Sequence, residues 1–175
     1  GIIGVGHMSI DSNINYGDIS SYANGGGTSG GVIGRMQSPY LQSEIKKCIN
    51  YGNVTSDSVS GGIIGSLPKM DSPIFTEACI FIKQCYNAGS KIVANGNDIS
   101  EGNYFYIKRI CGYNGDDKSR FSDNYSLDST TLNGTIPTED IGPDQKNGGS
   151  MTKAEIEKAI QDLGFELPSE LPTAS

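Results

Sequence analysis

Apolar and polar positions repeat in a fixed order along the first hundred residues. A pair of Ile or Val residues next to glycine occurs three times, and an Asn-x-Gly turn follows each pair. The pairs Ile2-Ile3, Val32-Ile33 and Ile63-Ile64 recur after 30 and 31 residues, and the turn residues Asn15, Asn50 and Asn87 recur after 35 and 37. A period of about 20 to 50 residues is typical of solenoids, propellers and arrays, whose units bury their apolar faces against each other.

A second strand is predicted before each asparagine turn, over residues 8–14, 41–49 and 78–86. Aligned on the asparagine, the three copies place Ile10, Ile45 and Ile82 in one column, and Asn13, Cys48 and Cys85 in another. We expect both columns to face the interior. A short third strand follows the turn, as at Asp18-Ile19 and Asn53-Val54, before a loop rich in Ser and Gly.

The asparagine column has a physical explanation if the units stack as parallel strands. Equivalent residues then lie about 4.8 Å apart along the axis. Each asparagine amide can donate to the next, which forms a ladder between turns. The glycine two residues later, as at Gly52, is expected to adopt a positive φ.

The pattern weakens after Asn97. Residues 104–111 have the composition of a strand, and we align Cys111 and Asn114 with the cysteine and asparagine of the earlier units, as a fourth and degenerate copy. Residues 121–127 give a fifth. Residues 131–150 are polar, contain Pro137, Pro143 and Gly148-Gly149, and are predicted to be a loop or linker.

The period changes again over residues 152–163. Ile156, Ala159, Ile160 and Leu163 recur with the spacing of an amphipathic helix. Thr152 and Glu155 fit a capping box, and Gly164 fits a helix end. Because the last unit of a solenoid needs a cover, we expect this helix to cap it.

Together these features predict an all-β fold. We expect a right-handed parallel β-helix of about four to five irregular turns with a C-terminal capping α-helix. Residues 1–130 would form the repeats, 131–150 a linker, and 151–175 the capping helix with an extended tail.

Charge narrows the classes of partner. The net charge is −7 and the pI is near 4.6, which argues against nucleic acid and anionic lipid because both require a basic surface. No apolar run approaches the roughly 18 residues that cross a bilayer, so we predict no membrane insertion. Gly1 lies inside a repeat unit, so we expect a piece of a longer protein.

The repeat resembles the GLUG motif of bacterial proteins, in which a Gly-Gly-Ile-Ile-Gly-like strand precedes an Ile-x-x-Cys-x-Asn-x-Gly-x-Val turn. The second copy matches at Gly30 to Gly34 and then at Ile45, Cys48, Asn50, Gly52 and Val54. The third matches at Gly61 to Gly65, Ile82, Cys85, Asn87 and Gly89, but has Lys91 in place of valine. Residues 124–128 look like the closing turn of such proteins. The resemblance implies a surface-exposed β-helical segment and carries over no catalytic residue.

We predict no catalytic, cofactor-binding or metal site, and no cofactor. Of the four cysteines, Cys48, Cys85 and Cys111 are expected to be small core residues, whereas the redox state of Cys79 is open. His7 is the single histidine, which argues against zinc-peptidase chemistry. Asp123 and Asp128 are read as solvated loop residues, and weak calcium binding at Asp116-Asp117 stays open. The basic pairs Lys46-Lys47 and Lys108-Arg109 are read as exposed strand residues.

The function hypothesis is a non-catalytic structural or adhesive module of a larger exported bacterial surface protein. One alternative is a carbohydrate-binding or carbohydrate-active β-helix, and another is an accessory region of a large extracellular peptidase. The expected partner is a host or cell-surface protein or a glycan, met through loops 35–43, 66–76 and 94–102. A second chain is expected to contact the N-terminal turn end to end.

Overall fold

A computed structural model describes residues 3–6, 9–22, 27–36, 42–68, 80–95, 106–115 and 119–168. These ranges contain twenty short strands and one helix. No helix in them is long and apolar enough to cross a membrane.

The strands occur in successive turns of the chain. The first turn has β1 (Ile3–Gly6), β2 (Ile10–Asp11), β3 (Ile14–Asn15), β4 (Ile19–Ser21) and β5 (Thr28–Gly30). The second has β6 (Ile33–Met36), β7 (Ser43–Lys46), β8 (Ile49–Asn50), β9 (Val54–Ser56) and β10 (Val59–Gly61). The third has β11 (Ile64–Leu67), β12 (Ile80–Lys83), β13 (Tyr86–Asn87), β14 (Lys91–Ala94) and β15 (Ile107–Lys108). The fourth has β16 (Cys111–Asn114), β17 (Ser119–Ser122), β18 (Tyr125–Leu127) and β19 (Thr131–Leu132), and β20 (Gly149–Met151) and α1 (Lys153–Asp162) follow.

Equivalent strands of successive turns form five sheets. Sheet 1 is β1-β6-β11-β16, sheet 2 is β2-β7-β12-β17, sheet 3 is β3-β8-β13-β18-β20, sheet 4 is β4-β9-β14-β19 and sheet 5 is β5-β10-β15. Every pairing between these strands is parallel, and Ile33 pairs with Ile3 on one side and Ile64 on the other. The predicted parallel β-helix is therefore confirmed.

The interior is filled by columns of like residues. Ile45 is fully buried between Ile10 and Ile82, and Phe121 takes the same position in the fourth turn. Cys48 and Cys85 are also fully buried and belong to the same apolar cluster. Both predicted inward columns are confirmed in the second and third turns, where Ile45, Ile82, Cys48 and Cys85 are fully buried. Lys47 and Gln84, which lie between the two columns, adopt a positive φ.

The fourth turn differs from its predicted alignment. Cys111 pairs with Ile64, so Cys111–Asn114 is equivalent to the glycine-flanked strand and not to the asparagine turn. The asparagine turn of this unit is supplied by Tyr125 and Ser126, which pair with Tyr86 and Asn87. Residues 121–127 thus complete the fourth unit and do not begin a fifth.

An insertion in the chain explains why the fourth turn was aligned wrongly from the sequence. Ile92 pairs with Val54, 38 residues earlier, whereas Ile107 pairs with Ser60, 47 residues earlier. The additional residues lie between β14 and β15, where the sequence shows no repeat signal. A single extra residue also accounts for Lys91, because Ile92 occupies the place of Val54.

The end of the solenoid is closed by chain that was predicted to be a linker. Lys146 O accepts from the backbone N–H groups of Ile110 and Cys111, and Pro143 O accepts from Asn124 N. β20 then pairs with β18 in sheet 3. The sequence predicts that the helix caps this end, but the helix does not cover it. It packs against the outer side of sheet 3, where Ile156 and Ile160 join Ile49, Tyr86 and Leu127 in a second apolar cluster.

Arg109 was predicted to be exposed, and this is wrong. It follows Lys108, the partner of Gly61, so it takes the position that Gly62 has in the preceding turn. Its side chain is fully buried. The guanidinium donates to the backbone oxygens of Leu127, Asn147 and Gly148. An arginine provides several fixed donors at once, which suits it to join carbonyl groups at a closing turn.

Candidate functional site

A groove lies outside the solenoid, where the first turns of α1 approach sheet 3. Its volume is about 250 Å³. Side chains from the first four turns line one wall, and Lys153, Ile156 and Glu157 of α1 line the other. We call this feature the helix groove.

The floor of the helix groove is formed by the residues that directly follow the members of the asparagine column. Because Asn15, Asn50, Asn87 and Ser126 are paired in register, the next residues, which are Tyr16, Tyr51, Ala88 and Leu127, also form a column. Tyr16 and Tyr51 stack with ring centroids 5.5 Å apart and planes 4° apart. Ala88 has no ring, so the aromatic stack is interrupted at the third turn.

The asparagine ladder fixes this column from inside. Asn15 Nδ2 donates to Asn50 Oδ1 at 2.8 Å, and Asn50 Nδ2 donates to Asn87 Oδ1 at 3.0 Å. Asn87 Nδ2 then donates to Ser126 Oγ at 3.0 Å. The predicted ladder is confirmed, and a serine ends it. Neighbouring residues on a strand point to opposite faces, so an inward ladder holds an outward column in register.

Polar groups form the rim on the side of sheet 4. Asp18 Oδ1 accepts from Asn53 N at 2.7 Å, and Asn53 Oδ1 accepts from Ser90 Oγ at 3.0 Å. In the described part of the chain, these contacts leave Asp18 Oδ2 and the Asn53 side-chain N–H groups without a hydrogen bond. The rim therefore offers both an acceptor and donors.

An N-terminal capping box fixes the start of α1, which forms the second wall of the helix groove. Thr152 and Glu155 form the predicted capping box, with Thr152 N donating to Glu155 Oε2 at 2.8 Å and Glu155 N donating to Thr152 Oγ1 at 3.4 Å. Ile156 is buried against sheet 3. Lys153 and Glu157 lie one helical turn apart, with Nζ and Oε1 separated by 3.7 Å, which partly neutralises this wall.

Tyr51 has the most unusual environment in the helix groove. Its hydroxyl is shielded from solvent and has no hydrogen-bond partner among the described residues. Burial raises the pKa of this phenol to about 12, with smaller contributions from Tyr16 and Glu157. Because this oxygen has almost no solvent-accessible surface, a ligand in the helix groove could contact the ring of Tyr51 but not its hydroxyl.

The cysteines agree with their predicted structural role. Cys48, Cys85 and Cys111 are buried and free. Burial raises the pKa of the Cys85 thiol well above its usual range and that of Cys111 to about 12. A thiol needs to ionise to act as a nucleophile or a metal ligand, so the environments of Cys85 and Cys111 favour packing over chemistry. Cys79 lies outside the described residues.

Among the residues that the structure describes, the acidic candidates do not form a site. Asp123 and Asp128 are both exposed, and no group of three His, Cys, Asp or Glu that could hold a metal exists within the described ranges. Lys46 contacts Asp11 Oδ2 at 3.3 Å and Glu44 Oε2 at 3.1 Å on the outer face of sheet 2. His7 and Asp116-Asp117 lie outside the described ranges, as does most of each proposed ligand loop.

The comparisons with known proteins gave no relative. No family model, no curated protein and no solved structure matches this chain.

The helix groove was not predicted from the sequence. The available signal was the column Tyr16, Tyr51, Ala88, in which an aromatic residue is twice present and then lost.

Proposed function

We propose that the chain is a non-catalytic structural or adhesive module of a larger exported bacterial surface protein. The observation that supports this role is the continuous ladder from Asn15 to Ser126, because it joins four turns by side-chain hydrogen bonds in addition to the backbone. A solenoid joined in this way transmits load along its axis. The resemblance to GLUG repeats supports the surface location and the bacterial origin.

Labelling of intact cells tests the location. Antibodies raised against this chain should label unpermeabilised cells of the source organism, and an external protease should remove the label while a cytosolic marker survives. Labelling that requires permeabilisation would contradict the proposal.

Mechanical unfolding tests the structural role. In single-molecule pulling, Asn50→Ala should lower the force at which the solenoid opens, because it breaks the ladder at its centre. An exposed substitution outside the ladder, such as Tyr22→Ala, is the control. Equal forces for the two variants would show that the ladder does not carry load.

A further inference from the structure

We infer that the helix groove is a binding site for one neutral pyranose ring of a glycan, stacked on Tyr51. This inference goes beyond the proposed structural role and does not depend on it. Two features of the helix groove support it, which are the interrupted tyrosine column and the polar rim.

The interrupted column leaves room for one flat ring. Tyr16 covers one face of the Tyr51 ring, so the other face is turned toward the next turn, where the equivalent residue is Ala88. Leu127 follows one turn later. Two turn spacings of about 4.8 Å place Tyr51 and Leu127 about 10 Å apart. A ring in van der Waals contact with both needs about 7 to 8 Å, so one ring fits and two do not.

The size of the helix groove agrees with a small ligand. Its volume of about 250 Å³ is below the range of about 300–1,000 Å³ that is typical for drug-sized molecules. One sugar ring, and not an extended chain, matches this space. The remaining units of a glycan would extend into solvent.

The rim distinguishes a sugar from a wholly apolar ring. A pyranose has C–H faces that pack on an aromatic ring and hydroxyl groups around its edge. Asp18 offers a carboxylate oxygen, and Asn53 offers amide donors. Hydroxyl groups donate and accept, so a sugar can bond to both residues at once.

The charge of the rim favours a neutral ligand. Lys153 and Glu157 form an ion pair, and Asp18 then leaves the rim acidic. An acidic sugar would place its carboxylate near that of Asp18 and be repelled. We therefore expect neutral hexoses or N-acetylhexosamines to bind, and acidic sugars not to bind.

Protein-observed NMR tests the inference with the methyl glycosides of glucose, galactose, mannose and N-acetylglucosamine as probes. At least one should shift the amide signals of Ala88, Ser90 and Asn53, with a Kd on the order of 1 mM, as a ligand of about a dozen non-hydrogen atoms allows. If none of the four glycosides shifts these signals, the inference is wrong.

Two variants test the position of the ring. Ala88→Tyr places a third tyrosine in the gap and should weaken binding at least tenfold; tyrosine already occurs at this position in the first two turns. Tyr51→Leu removes the aromatic face on which the sugar stacks and should weaken binding at least threefold. Tyr125→Leu is the matched control, because Tyr125 stacks on Tyr86 outside the groove lining. Unchanged affinity in both folded groove variants would overturn the inference.

Discussion

The turn glycines are needed because neighbouring turns approach closely, and the expected positive φ is not found at them. A Cβ atom on Gly52 would lie 2.0 Å from Gly17 O, and one on Gly89 would lie 2.2 Å from Gly52 O. The left-handed residues of each unit are instead Ser12, Lys47, Gln84 and Asp123. Each of them directly precedes a member of the column Asn13, Cys48, Cys85 and Asn124. The glycine in the repeat therefore reports on packing between turns.

Alanine substitutions at two equivalent glycines distinguish a packing requirement between turns from a requirement for a positive φ. Gly52→Ala should destabilise the fold by more than about 2 kcal/mol, because the turns must move apart to admit the methyl group. Gly17→Ala meets nothing within 4 Å and should be neutral or stabilising by about 0.5 kcal/mol, since it restricts the unfolded chain. Urea unfolding measures both. Similar losses in the two variants would indicate a torsional requirement.

The central ladder residue should carry more free energy than the terminal one. Asn50 is fully buried, donates to Asn87 Oδ1 and Gly52 O, and accepts from Asn15. Asn50→Ala leaves buried partners unsatisfied and should cost about 2–4 kcal/mol in the free energy of unfolding. Asn15→Ala should cost about 1 kcal/mol, because Asn15 is only half-buried. Equal losses in urea unfolding would contradict a role for burial.

Among the elements, the helix was the easiest to predict and its placement was the hardest. Its limits and capping box follow from local rules that Thr152, Glu155 and Ile156 satisfy within a few residues. Its docking face depends on Ile49 and Tyr86, which belong to distant turns. The outward position of these residues follows from the inward position of Asn50 and Asn87, but the sequence does not indicate that the helix folds back onto them.

The capping box makes the helix sensitive to acid. The backbone N–H of Thr152, and then its hydroxyl, lowers the pKa of Glu155 below its ordinary value of 4.5. A carboxyl group with a lowered folded-state pKa stabilises the fold above its unfolded pKa, and this contribution is lost as the pH falls through the folded value. The midpoint of thermal unfolding should therefore be higher for the natural chain than for Glu155→Gln at pH 7. The difference should shrink below about pH 4.5.

A conservative cap variant is the control for this pH dependence. Thr152→Ser keeps the hydroxyl that bonds to Glu155 and should retain the natural pH profile. Thr152→Ala should reduce the dependence of stability on pH. A difference between Glu155→Gln and the natural chain that stays constant down to pH 3 would show that the carboxylate charge is not involved.

At the scale of the whole molecule, the sequence predicts the stacking well and the end of the stack poorly. Three copies share Ile, Cys or Asn columns, so their register can be derived from spacing alone. The fourth turn contains Arg109 where the repeat has glycine, and Ser126 where it has asparagine. These replacements are adapted to the closing segment and not to a further turn, as the bonds from Arg109 to Asn147 and Gly148 show. A pattern search looks for the repeat and therefore misses residues selected for its end.

If the turns interact only with their neighbours, one complete turn should be removable. Asn50 pairs with Asn87, so deletion of residues 50–86 joins Ile49 to Asn87 and brings Asn15 and Asn87 into adjacent turns with every strand in register. We expect a folded, cooperative and less stable chain, because one interface between turns is lost. Deletion of residues 50–87 is the matched control: it shifts the chain by one residue, which turns inward side chains outward and should prevent folding. Circular dichroism and thermal unfolding measure both. Loss of folding in the in-register deletion would mean that the turns depend on contacts beyond their neighbours.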